Sequence, residues 1–405
     1  MKQRFVKFCF VNLFLLFAAT GILHAAEGFS LRYIANHQNL PEALRQINLV
    51  VEKPINFQTL LRYWRDFDFR DVYLRTGFEL SQQYGFDSSS GFGGSQYSYK
   101  KFDTDLLLLE ERRTRSQIEI ENFHFRFSIG DYDYLIGRQP ISLGTSHFVS
   151  VLDVIAPFYP GYLDSSYKPG VDALRIRTYS GMVGVIELIA VAAKDMDKSS
   201  LIARYRNNFS DIDVELIAGQ FRKRKLLGIG WEGERYKINF WGEAAVFSRL
   251  NNVDPMLGGF SDEAAFSVIT GIEKELGKDW RGGLAWMHQD LGAAKTSDLS
   301  SVYASLPVQQ GWMQLAGKNY LLANASKRMG PLADFSINGI LNADDNSTLW
   351  QPVVNISTSN ESDISFYAWL KTGDYPEVQA RQNFKLSSEF GSFSSGAGFI
   401  YRRFF

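Results

Sequence analysis

The chain has 405 residues, with 43 Lys and Arg against 44 Asp and Glu, and a single cysteine, Cys9. A formal net charge of −1 gives nucleic acid no electrostatic footprint to bind, and one cysteine supports neither a disulfide framework nor a thiolate metal site. The histidines beyond residue 25 (His37, His124, His147 and His288) are too widely spaced for a metal motif, so neither cofactor nor metal is expected.

At the N-terminus, Lys2, Arg4 and Lys7 precede an apolar run of twelve residues, Phe8 to Ala19, and then the small residues of GILHAA. This is the pattern of a signal peptide over residues 1–25, cleaved after Ala25, and it implies export. Its loss removes Cys9 and three positive charges, leaving 40 basic against 44 acidic groups, a net charge of −4. Residues 26–54 follow as a short periplasmic or barrel-plugging segment. Pro41 suits a first helical turn there, and Leu44, Ile47 and Val51 form one apolar stripe. Docking to a partner is the alternative role of this segment.

From Ile55 to Phe405 the chain repeats segments of about ten residues with two-residue alternation. Val72, Leu74, Thr76, Phe78 and Leu80 oppose Tyr73, Arg75, Gly77 and Glu79. Ile238, Phe240, Ala244 and Val246 oppose Asn239, Trp241 and Glu243, and Ile364, Phe366, Ala368 and Leu370 oppose Ser365, Tyr367 and Lys371. Such alternation places one face in an apolar medium and the other in water. Segments of this length match tilted strands crossing a bilayer, whereas soluble strands centre near five or six residues. The longest apolar run, Met182 to Ala193, is twelve residues and contains Glu187, too short for a helical span. Turn clusters such as Asn207-Asn208, Gly373-Asp374 and NADDNS (342–347) alternate with longer stretches such as DSSSGFGGS (87–95). An open sheet edge in hydrocarbon would leave backbone groups unpaired, so the sheet must close. The fold class is therefore all-β: a closed antiparallel transmembrane barrel of about 16 to 18 strands over residues 55–405.

The last segment, SSGAGFIYRRFF (394–405), places Ala397, Phe399, Tyr401 and Phe405 on one face. It resembles the terminal strand of Gram-negative outer-membrane barrels, which implies that Phe399, Tyr401 and Phe405 are read by the barrel-assembly machinery. A second resemblance lies within residues 131–180. There the strand end Gly137-Arg138, acidic Asp153, the turn PFYPG (157–161), acidic Asp164 and the return GVDA (170–173) are similar to the third loop of general porins. In porins that loop folds into the lumen and sets its width. The resemblance implies an outer-membrane channel for passive diffusion of small hydrophilic solutes, with outer-membrane lipid around it and a possible homo-oligomeric state.

On this reading Ser142 to Pro169 forms the constriction. Its apolar residues Phe148, Val149, Val151, Leu152, Ile155 and Phe158 would pack on the inner wall. Asp153 and Asp164 would remain in the aqueous gap, facing arginines drawn from Arg62, Arg75, Arg138, Arg175, Arg177 and Arg204. Arg62, Arg75, Arg175, Arg177 and Arg204 sit opposite their strands' apolar sets, and a charge facing lipid near the midplane costs about 2–4 kcal/mol. Opposed carboxylates and arginines would set a transverse field that sorts solutes by charge. Two other classes compete with a channel. A barrel could scaffold a secretion or electron-transfer assembly, any haem belonging to a partner. An outer-membrane hydrolase could use Ser146, His147 and Asp153, but no strained nucleophile turn is present.

Overall fold

The computed structural model describes residues 28–39, 41, 55–85, 99–111, 113–158, 167–248, 264–378 and 384–405. In chain order the strands are β1 (Gly28–Asn39), β2 (Ile55–Phe69), β3 (Val72–Tyr84), β4 (Leu106–Glu111), β5 (Thr114–Ile129), β6 (Tyr132–Gln139) and β7 (Val171–Ser180). Then come β8 (Gly184–Val191), β9 (Ser200–Phe209), β10 (Ile212–Phe221), β11 (Arg224–Arg235), β12 (Ile238–Phe247), β13 (Ala265–Gly277) and β14 (Trp280–Gln289). The last are β15 (Asn319–Arg328), β16 (Ala333–Asn342), β17 (Thr348–Ser359), β18 (Ser362–Thr372), the small pair β19 (Glu377–Val378) and β20 (Phe384–Lys385), and β21 (Ser395–Phe404).

Sequential neighbours pair antiparallel around one ring, and β21 closes it by pairing with both β18 and β1. Eighteen strands form the ring, and β4 lies outside it, extending the edge of β5 beyond the end of β6. Closure is what the alternation demanded, because every strand has a partner on each side and no edge faces hydrocarbon.

The outward rows carry Phe123, Phe125, Leu216, Leu227, Ile229, Ile272, Leu284, Leu321, Phe366 and Leu370, all exposed. So broad an apolar surface is out of place in water and suits a lipid belt. Trp280, Trp286 and Trp350 belong to this outer surface, whereas Trp369 is buried on the inward row. One end of the barrel has tight turns. Ser210-Asp211 and Tyr236-Lys237 both have positive φ (51° and 69°, 54° and 61°), the geometry that matches the twist of a two-residue hairpin. The other end carries the long connections 140–170, 290–318 and 373–394. The second of these holds the short helices α1 (Leu299–Tyr303) and α2 (Leu306–Gln309).

The fold corrects the expectation for residues 26–54. Gly28–Asn39 is not a plug but the first barrel strand, with Tyr33 in register with Thr59 of β2 and Tyr401 of β21. Without it β2 and β21 would each present a bare edge. The helix expected from Pro41 to Val51 lies, apart from Pro41, outside the described residues, as do residues 1–27. Phe405 meets β1 at the tight-turn end. Its N–H donates to the Phe29 carbonyl at 2.9 Å and its ring centroid is 5.4 Å from that of Phe29.

Candidate functional site

The connection from β6 to β7 returns over the inner wall. Ile141, Leu143, Val149, Val151, Leu152, Val154, Ile155 and Ala156 are buried in one cluster with the inward side chains of Ile217, Leu226, Trp241, Ala245 and Ile269. At about 25 cal/mol per Å² of apolar surface removed from water, so many aliphatic side chains hold the segment firmly against β10–β13. Glycine makes room for it, since a Cβ at Gly228 would collide with the Leu152 side chain.

Two carboxylates of the inner wall fix this segment's backbone. Glu243 of β12 has no exposure, and its Oε1 accepts the N–H groups of Thr145 and Ser146, both at 2.6 Å. Its Oε2 accepts the N–H of Val151 at 2.8 Å, that of Leu152 at 3.1 Å and the Ser150 hydroxyl at 2.8 Å. Glu215 of β10 accepts the N–H of Gly144 at 2.9 Å. A buried carboxylate is tolerated where several donors converge on it, and the segment's amides, which would otherwise be orphaned, supply them.

The wall on the other side of the loop's base, β7–β9, is built differently. Glu187 of β8 is fully buried and three arginines converge on it: Arg175 at 2.7 Å, Arg177 at 3.1 Å and Arg204 at 3.0 Å. Three guanidinium groups meet one carboxylate there, with Glu215 of β10 also acting on Arg204. Arg204 also donates to the Ser142 carbonyl at 2.8 Å, tying the base of the loop to this row.

The remaining expected residues separate. Arg62 bonds to Glu79 on the next strand and lies 3.7 Å from the ring centre of Tyr167, where the loop returns. Arg75 forms a two-point pair with Asp66 at 2.8 and 2.7 Å, towards the tight-turn end. Arg138 does not join the arginines on Glu187. It is 3% exposed, and its guanidinium is engaged by Asp172 at 2.8 and 3.0 Å, by Thr104, and by the carbonyls of Phe102 and Ile120. Asp153 is also corrected. It is buried, not standing in an aqueous gap, and it pairs with Lys168 of the same loop. Burial pushes the Asp153 carboxyl above its usual range and the Lys168 ammonium below its own, and the pair opposes both shifts. The field of Arg204 also acts on Asp153, opposing the effect of burial. Asp164 lies outside the described residues.

Ser146, His147 and Asp153 do not assemble into a hydrolytic triad. The Ser146 hydroxyl donates to the Val149 carbonyl at 2.8 Å, and Asp153 faces Lys168. His147 bridges Glu232 and Glu273, at 3.2 Å to each, with its ring stacked on Trp241. Among the described residues no group of three or more His, Cys, Asp or Glu side chains is placed to hold a metal ion.

Sequence reasoning named the loop and the arginines but missed the carboxylates that organise them. Glu187 was visible as the acid interrupting the apolar run 182–193, and Glu243 as an acid on a polar face. Neither position carried a local sign of its partners.

A second connection is anchored in the same manner. Glu389 accepts the Ala316 N–H at 2.7 Å, the Tyr320 hydroxyl at 2.6 Å and the Asn342 amide at 2.7 Å. Its burial pushes the carboxyl up to about 7.

A closed ring of eighteen strands with an apolar exterior and a charged interior defines the class: a porin-like transmembrane β-barrel. Solved structures with the same architecture include OccAB4 of Acinetobacter baumannii, 8% identical, with a TM-score of 0.58 over 93% of this chain and 97% of that one. OccAB2 of the same organism is also 8% identical, with a TM-score of 0.56 over 93% and 97%. OccD3 (OpdP) of Pseudomonas aeruginosa is 7% identical, with a TM-score of 0.51 over 93% and 90%. At such identities the likeness is one of fold. No protein-family model matches the chain, and no curated protein does.

Proposed function

We propose that the chain is an outer-membrane channel for passive diffusion of small hydrophilic solutes, its width set by residues 142–169 folded into the lumen. The observation that carries this reading is the seating of the loop on Glu243 and Glu215, which holds backbone and apolar side chains against the inner wall. An eighteen-strand barrel is wide enough for a water-filled passage, so a loop fixed inside it narrows that passage. The excess positive charge of Arg175, Arg177 and Arg204 around Glu187 lines the wall beside the loop and favours anionic over cationic solutes. The field thus arises from unequal wall charge rather than from Asp153, which Lys168 balances. Planar-bilayer recording tests the reading. Replacing residues 145–168 by a short Gly-Ser turn raises single-channel conductance severalfold, and unchanged conductance in a correctly inserted variant rejects the constriction.

Residues 1–25 serve as the export signal in this account, and N-terminal sequencing of the protein recovered from outer membranes should begin at Ala26. Short turns mark the periplasmic end and long connections the outside. Phe399, Tyr401 and Phe405 act as the assembly signal read by the barrel-assembly machinery. Changing Phe405 to Ser lowers the outer-membrane level sharply while export continues, and a wild-type level in that variant removes this role.

A further inference from the structure

The β6–β7 loop carries one side chain whose charge depends on the water around it. His147 lies between two carboxylates of the inner wall, its Nε2 3.2 Å from a Glu232 oxygen of β11 and its Nδ1 3.2 Å from a Glu273 oxygen of β13. Its ring stacks on Trp241 of β12, with centroids 5.2 Å apart and an interplanar angle of 30°. A neutral imidazole has one N–H and one lone pair, so it donates to only one of these carboxylates and turns the lone pair on the other. An imidazolium donates to both and sets a cation on the indole face. The charges that meet the ring from the wall are thus both negative, and further acids stand behind them. Asp213 of β10 is opposite Glu232 across the ladder, and Glu243 of β12 holds the amides of Thr145 and Ser146, just before His147. Glu273 meets Asn239 opposite it and Asn324, whose amide donates to it at 3.3 Å, and both are neutral.

We propose that His147 is a specificity-determining residue of the constriction, and that its proton makes the charge preference of the channel depend on pH. The inference rests on the channel reading, in which the loop narrows the lumen. Protonated, His147 cancels one of its two wall carboxylates and clips the loop to β11 and β13, so the three groups together carry one negative charge. Neutral, it leaves two negative charges and gives up one of its two contacts. The segment around it is then loosened, while Glu243 still holds the amides on either side. Histidine is the side chain whose ordinary charge change falls between pH 5 and 8. The His147 and Glu232 side chains are 31% and 40% exposed, so lumen protons reach the pair and passing ions feel its charge. The preference for anions set by Arg175, Arg177 and Arg204 is therefore strongest below the histidine range and weakens as pH rises through it.

Reversal potentials across planar bilayers under a KCl gradient, taken at about pH 5 and about pH 8, read this proton. In the wild type the potassium-to-chloride permeability ratio should rise about threefold over the interval, the effect of one unit charge about 8 Å from a permeating ion in screened water. H147Q should hold the high-pH ratio at both values. H147K, which keeps a cation at this position, should hold the low-pH ratio at both. Tryptophan fluorescence of the full-length, detergent-solubilised protein adds a readout without conduction, because an imidazolium quenches an indole stacked on it. In an H288Q background, which silences the similar stack of His288 on Trp286, emission should rise with pH, and H147Q and W241F should each remove the same share of that rise. A wild-type permeability ratio that ignores pH, a pH dependence that survives in H147Q, or a fluorescence rise that H147Q leaves intact overturns the inference. Wild-type conductance in the loop-shortened protein would instead count against the constriction on which it rests.

Discussion

The two walls that flank the base of the β6–β7 loop obey the same alternation and do opposite things. On β10–β12 the inward acids Glu215 and Glu243 are engaged by backbone N–H groups of the loop; Gly230 and Ile269 stand opposite Glu243, while Arg206 stands opposite Glu215. On β7–β9 the inward acid Glu187 is engaged by arginine side chains of the two adjacent strands, β7 and β9. Hence an acid on a lumen-facing row is either a mooring for chain, as Glu243 is with Gly230 and Ile269 across the ladder, or a counter-ion for the wall, as Glu187 is with Arg177 and Arg204 across it. Where Ile217, Leu226 and Trp241 surround the acid, the loop covers it. Where arginines surround it, the wall stays charged beside the passage.

Replacing the mooring acid gives the largest effect. Glu243→Leu deprives four backbone amides and a hydroxyl of their acceptor, at about 1–3 kcal/mol for each donor left buried and unpaired. The loop should then leave the wall, with single-channel conductance rising towards that of the loop-shortened protein and with added open-channel noise. A quiet, wild-type current from this variant would break the distinction between the two walls.

A smaller, purely electrostatic effect is expected on the other wall. Arg175→Gln together with Arg177→Gln leaves Arg204 to balance Glu187 and removes the excess charge. Reversal potentials under a salt gradient should move towards cation preference while conductance changes little. The shift should be larger at low salt, where the screening length is longer than its roughly 10 Å at 0.1 M. A change in conductance as large as that of Glu243→Leu would mean that this wall also moors the loop.

Much of this was legible in the sequence, and the gaps have physical causes. Alternation is a local property, so the barrel, its strand range and the inward placement of Arg62, Arg75, Arg175, Arg177 and Arg204 could be read directly. The loop was legible because Val149, Val151, Leu152 and Ile155 are too apolar for a connection bathed in water. β1 was missed because Gly28–Asn39 carries few bulky apolar residues and adjoins an amphipathic stretch of helical spacing. The partners of the loop were beyond reach. Thr145 and Glu243 are 98 residues apart, and nothing in either neighbourhood specifies the other. The position of Asp153 failed for a nearer reason. Its neutralising partner Lys168 is 15 residues away on the same loop, and the carboxylate was read without it.

The central claim is that the loop rests against the inside of β11, and a covalent lock tests it most directly. An ideal Cβ at Gly230 lies 3.2 Å from the Thr145 hydroxyl oxygen and 3.4 Å from its methyl group, close to the spacing a disulfide needs. With Cys9 the one cysteine in the sequence, Thr145→Cys with Gly230→Cys introduces a defined pair. The two cysteines should cross-link in outer membranes under mild oxidation, and single-channel conductance should be the same before and after reduction. Failure to cross-link in the inserted barrel, or conductance that changes markedly when the bond is reduced, would contradict a loop that resides on this wall.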